Sequence, residues 1–287
     1  TNQSSEFANQ KYKIEINSKK DKETLIEYEF DEDNINLVQN IEIIAKENTK
    51  GTIIVRLKSD KNLEYYHNAV IRTKLSENAN IKVIFINMLG LKSNNFISIQ
   101  NELYDNSNLK FTIVDFGGKH SVTNYYTNLI GEKSDNNVNT IYLGKEDQLF
   151  DLNYIAELRG KKCNAYIDVQ GALKDTAVKH FKGTIDFIQG CKKAVGEEND
   201  YCVLLSDKAK ALGLPMLLCH EDDVEGAHAS AAGKLNEQEL FYILTRGFDE
   251  KSAMKLLVKA RFNKIIEGIK NEEIRNIILE EIDARLD

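Results

Sequence analysis

The 287-residue chain has no tryptophan and one proline, Pro215. Its four cysteines (Cys163, Cys191, Cys202 and Cys219) form no C-x-x-C pair. A structural zinc site of the usual spacing is therefore not expected, and nothing reads as a disulfide framework. Reduced thiols in a cytoplasm are the expectation. No apolar run approaches the roughly 20 residues that a membrane-spanning helix needs. Basic residues are not in excess either: 38 Lys and Arg stand against 45 Asp and Glu, a net charge of −7. That balance argues against non-specific binding to nucleic acid phosphates. There is no G-x-x-x-x-G-K-S/T loop, so the chain is not expected to hydrolyse ATP. The opening residues, TNQSSEFANQ, lack the charged start and apolar stretch of a signal peptide and read as a polar, unstructured extension.

What is present is a long series of short strands. KYKIEI, NIEIIA, GTIIVRL, NIKVIFIN, NFISIQ, LKFTIVDF and NAYIDVQ alternate or cluster β-branched and aromatic residues. Stretches rich in Asn, Asp, Ser and Gly separate them, such as ENTKG, SENAN, YDNSN and GEKSDNN. No helical period survives between Lys11 and His220. A sandwich, a barrel or a solenoid could each account for many short strands at close spacing. Three features point to the solenoid. Hairpin dipeptides such as NG and DG are missing between the strands. Asn recurs at strand edges, where stacked turns can form side-chain ladders. Nothing divides the series into two layers.

The texture changes at Gly233. Asn236 to Glu239 fits a helix N-cap with a glutamate three residues on. Leu240, Phe241, Ile243 and Leu244 follow at helical spacing, and Gly247 can end that helix. A second helix is expected from Asp249, with Met254, Leu257, Val258, Phe262, Ile265, Ile266 and Ile269 on one stripe. A third is expected from Asn271, with Ile274, Ile277, Ile278 and Ile282. The organisation expected is an N-terminal extension over 1–39, a β core over 40–230 and a helical domain over 231–287, the boundary at 40 being where a resemblance to a known family begins.

The segment LLSDKAKALGLPMLLCHEDDVEGAHASAAGKLNEQELFYILTRGF resembles the SufB/SufD scaffold family of iron–sulfur cluster assembly, and SufD most closely. The matching positions are Leu204, Leu205, Ser206, Ala209, Pro215, Asp222, Asp223, Val224, His228, Gly233, Leu240, Phe241, Tyr242, Arg246 and Gly247. Upstream, HFKGTIDF and DFGGKHSVTNYYTNLIGEKS resemble further family stretches. The resemblance implies a mainly β fold: a right-handed parallel β-helix core with a C-terminal α-helical domain. It also implies a non-enzymatic scaffold. Such a subunit partners an ABC-type ATPase, SufC, through the helices, and a SufB/SufD-type subunit or a second copy through the end of the β-helix. An iron–sulfur cluster would form transiently at that subunit interface. Departures from the family pattern bear on the cluster more than on the fold. The family's C-S-H triplet reads Gly226-Ala227-His228, and Ala229 stands where SufB carries glutamate. The D…H…H strand reads Asp151, Leu158 and Lys162. The T-D-A-x-Q stretch reads Ala194, Val195, Gly196, Glu197 and Glu198.

These readings nominate specific residues. His228, set among small neighbours, is the candidate iron and cluster ligand, with Cys219 as a second if the end of its strand bends back. With Met216–His220 as the last strand, Asp222 and Asp223 are expected to end the last coil by bonding backbone N–H groups. Cys163, Cys191 and Cys202 read as small buried hydrophobes rather than sulfur acceptors, and His120 as a solvated turn residue. Leu240, Phe241, Tyr242, Met254, Leu257 and Phe262 are expected to bind the ATPase, because three short helices carry more apolar surface than they can bury among themselves. An adaptor that holds no iron is the alternative within the family. A carbohydrate-active β-helix enzyme is the alternative outside it, although no groove of clustered acids marks the strands.

Overall fold

A computed structural model describes residues 7–59 and 63–287. The expectation of an unstructured start falls on residues 1–6 and lies outside the described residues. The fold is a parallel β-solenoid of about eight turns followed by three helices. Each turn contributes one strand to each of two sheets. Sheet A stacks β1 (Gln10–Ile16), β3 (Asn36–Ala45), β5 (Tyr66–Leu75), β7 (Asn94–Leu103), β9 (His120–Leu129), β11 (Leu149–Leu158), β13 (Val178–Phe187) and β15 (Lys210–Cys219) in that order. Sheet B stacks β2 (Lys22–Phe30), β4 (Lys50–Ser59), β6 (Asn80–Met88), β8 (Asn108–Asp115), β10 (Asp135–Gly144), β12 (Asn164–Leu173), β14 (Ala194–Leu204) and β16 (Val224–Lys234). Every neighbouring pair is parallel. The ladder begins upstream of Asn40, with β1 and β2, and continues past His220 through β16.

The two sheets are written differently in the sequence because their outer faces meet different surroundings. Strands of sheet A alternate: in β7, NNFISIQNEL, every second side chain enters the lumen and the others face water. Middle strands of sheet B carry continuous apolar runs, as in IIV of β4 and VIFI of β6, because both faces are buried there. Their lumenal side chains join the solenoid core. Ile54, Ile84, Ile86, Val114, Ile141 and Leu143 point outward and are covered by helices.

The turns also explain the repeated asparagines. Asn48, Asn78 and Asn106 have φ of 59°, 58° and 53°, the left-handed region that Asn tolerates better than most residues. The same stack of turns continues with Lys133, Lys162 and Lys193, spaced by roughly 30 residues as in other stacked solenoids. Asn78 Nδ2 donates to Asn48 Oδ1 at 3.2 Å, so a ladder does form. The next residue in several turns donates its side chain to the carbonyl three residues back: Thr49 to Lys46, Ser107 to Tyr104, Ser134 to Gly131. Cys163 occupies this position, its thiol donating to Gly160 O. It is buried, as expected, but as a hydrogen-bonding turn residue rather than a hydrophobe on a strand.

The helices are α1 (Glu237–Thr245), α2 (Glu250–Ile266) and α3 (Glu272–Leu286). Their caps are those read from the sequence. Asn236 accepts from Gln238 and Glu239 N–H, Asp249 from Ser252 N–H, and Asn271 from Ile274 N–H. The destination of the apolar stripe differs from the expectation. Val258, Phe262, Ile265, Ile266, Ile274, Ile278 and Ile282 pack onto the outer face of sheet B. The surplus of apolar surface on α2 and α3 is met by the solenoid itself. Phe262 is buried and gives nothing to solvent, and Met254 and Leu257 are half-buried. Only α1 buries no residue at all.

Candidate functional site at the open end of the solenoid

The last coil is β15 and β16, and among the described residues neither has a strand on its far side. Pro215 lies in this edge strand, where a missing backbone donor costs no ladder bond if that position faces outward. The outward face of β15 carries Leu212, Leu214, Met216 and Leu218, exposed by 52, 52, 48 and 37%. Four large apolar side chains in one row on an unpaired edge make an exposed apolar patch of the kind that marks interaction sites.

The structure extends the strand series one step beyond the expected last strand. His228 is not past the sheet but within β16, paired with Glu198 of β14. Gly226, Ala227, Ala229, Ala231 and Ala232 have weak strand propensity and hid this strand. Their small size has a structural use. A Cβ on Gly226 would meet the Phe187 ring at 3.2 Å, so this position faces the lumen. Ser230 faces the lumen too, its hydroxyl donating to Asp200 Oδ2 at 3.1 Å. His228 lies between them at the same parity and therefore points into the mouth of the solenoid. It remains exposed because no further coil closes the end.

The lumen behind it is polar. Lys179 Nζ donates to both Asp200 oxygens, at 2.7 and 2.6 Å, with both side chains almost fully buried. Glu198 is 0% exposed, and neither carboxylate oxygen has a hydrogen-bond partner among the described residues. Desolvation, then the charge of Asp200, raises its pKa to about 7. Its carboxylate reaches across the lumen to the backbone of β13, where a Cβ on Gly183 would collide with it. Gly213 of β15 similarly leaves room for Ser230 and Asp200. Cys202 is buried nearby, and desolvation pushes its thiol up to about 11.

The other nominated residues do not converge on His228. Cys219 ends β15 and is exposed. It is separated from β16 by the turn over 220–223, and His228 lies four positions beyond Val224, roughly 13 Å along the strand at the usual rise. The strand end does not bend back. Cys191 is buried, its thiol pushed up to about 11 by desolvation, and Cys163 to about 12. Thiols held protonated in this way are poor sulfur acceptors. His120 is half-buried, paired through Nδ1 with Asn94 Oδ1 at 2.8 Å rather than solvated. The acidic turn is structural, but through a different acid. Glu221 accepts from the N–H groups of Gly190, Asp222 and Asp223, and these contacts hold its pKa below the usual range. It reaches Gly190 because its longer side chain spans back to the preceding coil. Among the described residues, no three His, Cys, Asp or Glu side chains gather as a metal cage.

Sequence reasoning missed Lys179, Glu198, Asp200 and Ser230. A signal existed: VGEENDYCV places charge at consecutive positions of a strand, which no two-faced surface strand with an apolar lumen would tolerate.

On α1, Phe241 and Tyr242 are exposed by 68 and 58%, and Leu240 is half-buried. Phe248, just after the helix, is exposed as well.

Known proteins place this architecture. The profile of the SUF system Fe–S cluster assembly SufBD core domain matches residues 28–261. The iron–sulfur cluster assembly protein SufD of Bacillus subtilis is 27% identical over 160 residues, covering 56% of this chain and 37% of that protein. An iron–sulfur cluster assembly SufBD family protein of Pyrococcus horikoshii is 32% identical over 173 residues, 58% of this chain and 38% of its own length. SufD of Escherichia coli is 22% identical over 240 residues, 84% of this chain and 57% of its own. The chain thus spans between about two fifths and three fifths of these relatives. Through a core-domain match that runs from β2 into α2, the chain belongs to the SufB/SufD family of iron–sulfur cluster assembly proteins.

Proposed function

We propose that the chain is a scaffold subunit of SUF iron–sulfur cluster assembly, SufD-like, with no enzymatic step of its own. Its β15–β16 edge pairs with a SufB/SufD-type subunit or with a second copy. Its α1 surface, Phe241 and Tyr242 foremost, engages a SufC-type ABC ATPase. Iron or a nascent cluster is the cargo, held transiently at the paired edge. The single observation that carries this reading is the coincidence of three features in one coil: an unpaired strand edge, a row of bare apolar side chains, and an imidazole in the lumen mouth behind them. Imidazole suits iron, but Fe–S clusters need several ligands, mostly thiolates. The partner must therefore supply the rest. Leu240, Met254 and Leu257 are half-buried and contribute at the margin of the ATPase contact; Phe262 does not.

An adaptor that binds the same partners without iron is the second reading. It is favoured by Gly226 and Ala227 in place of the family's thiol and hydroxyl. Anaerobic reconstitution of the co-purified complex separates the two. On the scaffold reading His228→Ala keeps the complex intact and lowers its iron, sulfide and visible absorbance. Equal loading of the variant leaves the adaptor.

A further inference from the structure

The inference rests on the scaffold reading of His228 and adds a residue to it. We propose that Glu198 and His228 form a two-ligand seat for one divalent metal ion, ferrous iron in the cell, inside the mouth of the solenoid.

The starting point is an unexplained buried group. Glu198 is fully buried, and both of its oxygens are without a partner among the described residues. Leaving a carboxylate in that condition is costly, and native proteins rarely do so without a ligand, a water or a functional reason. Nearby groups do not relieve it. The Lys179 ammonium is engaged by both oxygens of Asp200. The Ser230 hydroxyl also goes to Asp200. The opposite wall offers nothing, since β13 and β15 present Gly183 and Pro215 to each other at this level. Neither has a side-chain donor, and Pro215 has no N–H.

The second point is register. Glu198 and His228 are Cα partners on neighbouring parallel strands, about 4.8 Å apart by the normal spacing. Gly226 and Ser230 fix the parity of β16, so both side chains project into the same space. Among the described residues no hydrogen bond or ion pair joins the two groups as they stand, but at matched register a rotation of the side chains alone would bring carboxylate and imidazole onto one ion. Gly183 leaves the room that the carboxylate itself occupies, since any side chain there would collide with it.

The third point is chemistry. An oxygen and a nitrogen donor suit a divalent ion of hard to borderline character, such as ferrous iron, better than a sulfide or a thiolate-bound cluster. Two neighbouring carboxylates with one ammonium favour a cation and repel an anion such as phosphate. Remaining coordination positions face the open end, where water sits until a partner covers it. The seat is thus suited to deliver iron to the interface rather than to hold a finished cluster.

The experiment uses the full 287-residue chain, anaerobically, with ferrous iron alone and with cobalt(II) as a spectroscopic stand-in. Titration followed by calorimetry and by cobalt d–d absorption is expected to find one ion per wild-type chain. Glu198→Gln, which keeps the shape, and His228→Ala are each expected to weaken binding by more than tenfold. If His228→Ala weakens binding and Glu198→Gln stays within threefold of wild type, Glu198 is not a ligand, while the reading of His228 stands. If neither variant changes binding, or wild type binds no ion, the seat is overturned. Thermal unfolding in a chelator guards against a damaged fold. Glu198→Gln is expected to melt at or above the wild-type temperature, because it removes an unpartnered buried carboxylate. A lower melting temperature would mean that the carboxylate is a structural partner, and would also overturn the proposal.

Discussion

The middle coils and the last coil of this solenoid bury polar groups in opposite ways. In the middle, Gln39, His67, Asn95, Ser121, Asp115 and Asn87 are all buried. They form a connected chain across successive turns. His67 Nδ1 pairs with Asn95 Oδ1 at 2.7 Å, Asn95 donates to Ser121, and Ser121 and Asn87 donate to the two oxygens of Asp115. Around them the lumen is filled by an aromatic pile, Phe111, Tyr125, Tyr154 and Phe181, with ring centroids 5.5 to 5.7 Å apart. At the end, the pile stops at Phe181, and Lys179, Asp200, Glu198 and His228 replace it. Single polar atoms of the middle coils, such as Gln39 Nε2, also lack a partner among the described residues, but at the open end both oxygens of one buried carboxylate, Glu198, do. The difference marks the last coil as the candidate site without reference to motif.

The largest effect expected from testing this contrast is at the one fully paired element of the polar end. Lys179→Met leaves Asp200 buried and uncompensated and is expected to cost about 3–5 kcal/mol in urea unfolding. Adding Asp200→Leu is expected to restore most of that stability, since no buried charge then remains unpaired. If the double variant is no better than the single, the pair does more than neutralise itself.

The middle network gives the next effect, and it depends on pH. Burial raises the pKa of Asp115 to about 6, although Ser121 and Asn87 donate to it and the buried Arg285 of α3 lowers it from across sheet B. An acid with a raised folded pKa binds its proton more tightly in the folded state. Its contribution is therefore unchanged below the ordinary carboxylate range. It becomes destabilising as pH rises from about 4 to about 6, then levels off, by a total of about 3 kcal/mol. Asp115→Asn is expected to flatten the stability profile in that window. A profile that keeps its slope would place the titrating group elsewhere.

How much of this was legible follows from which signals are local. Helix caps at Asn236, Asp249 and Asn271 depend on a few neighbouring residues, and all three were readable. Strand texture was readable for the same reason, and the apolar runs GTIIVRL and NIKVIFIN even announce a sheet buried on both faces. What covers that face was not legible, because the docking of α2 on sheet B joins residues more than a hundred positions apart. β16 escaped notice because Gly226, Ala227, Ala229 and Ala231 have weak strand propensity, although Gly226 is needed for clearance from Phe187. The polar lumen escaped because parity is silent until a neighbour fixes it. Lys179 reads as a surface lysine until Phe181 is known to face inward.

A smaller effect is expected where the turns of the middle coils are compared with one another. Cys163 donates its thiol to Gly160 O in the place where Thr49, Ser107 and Ser134 donate hydroxyls. Cys163→Ser keeps the donor and is expected to lie close to wild type. Cys163→Ala removes the donor and is expected to cost about 1 kcal/mol, together with a small packing loss. Equal stability of the two variants would show that packing, not the bond, sets this position.

The smallest effect on stability is expected at the last coil, and its size is the point. Leu214 is half exposed on the outer face of β15, so Leu214→Asp removes little buried apolar area. Substitutions at such surface sites usually stay within about 0.5 kcal/mol. The same change places a charge in the middle of the apolar row Leu212, Leu214, Met216 and Leu218, at an edge with no strand beyond it. Charges at such positions are how sheet edges are kept from pairing. The variant is therefore expected to unfold like wild type and to fail to associate, read by light scattering of the chain alone and by co-purification with a SufB/SufD-type subunit. The matching change on the helical side, Phe241→Ala, is expected to leave both stability and edge pairing intact while weakening capture of the ATPase. Pairing that survives Leu214→Asp would remove the edge as the interface. It would leave the exposed row without a purpose, and the contrast between closed middle and open end would then rest on the lumen alone.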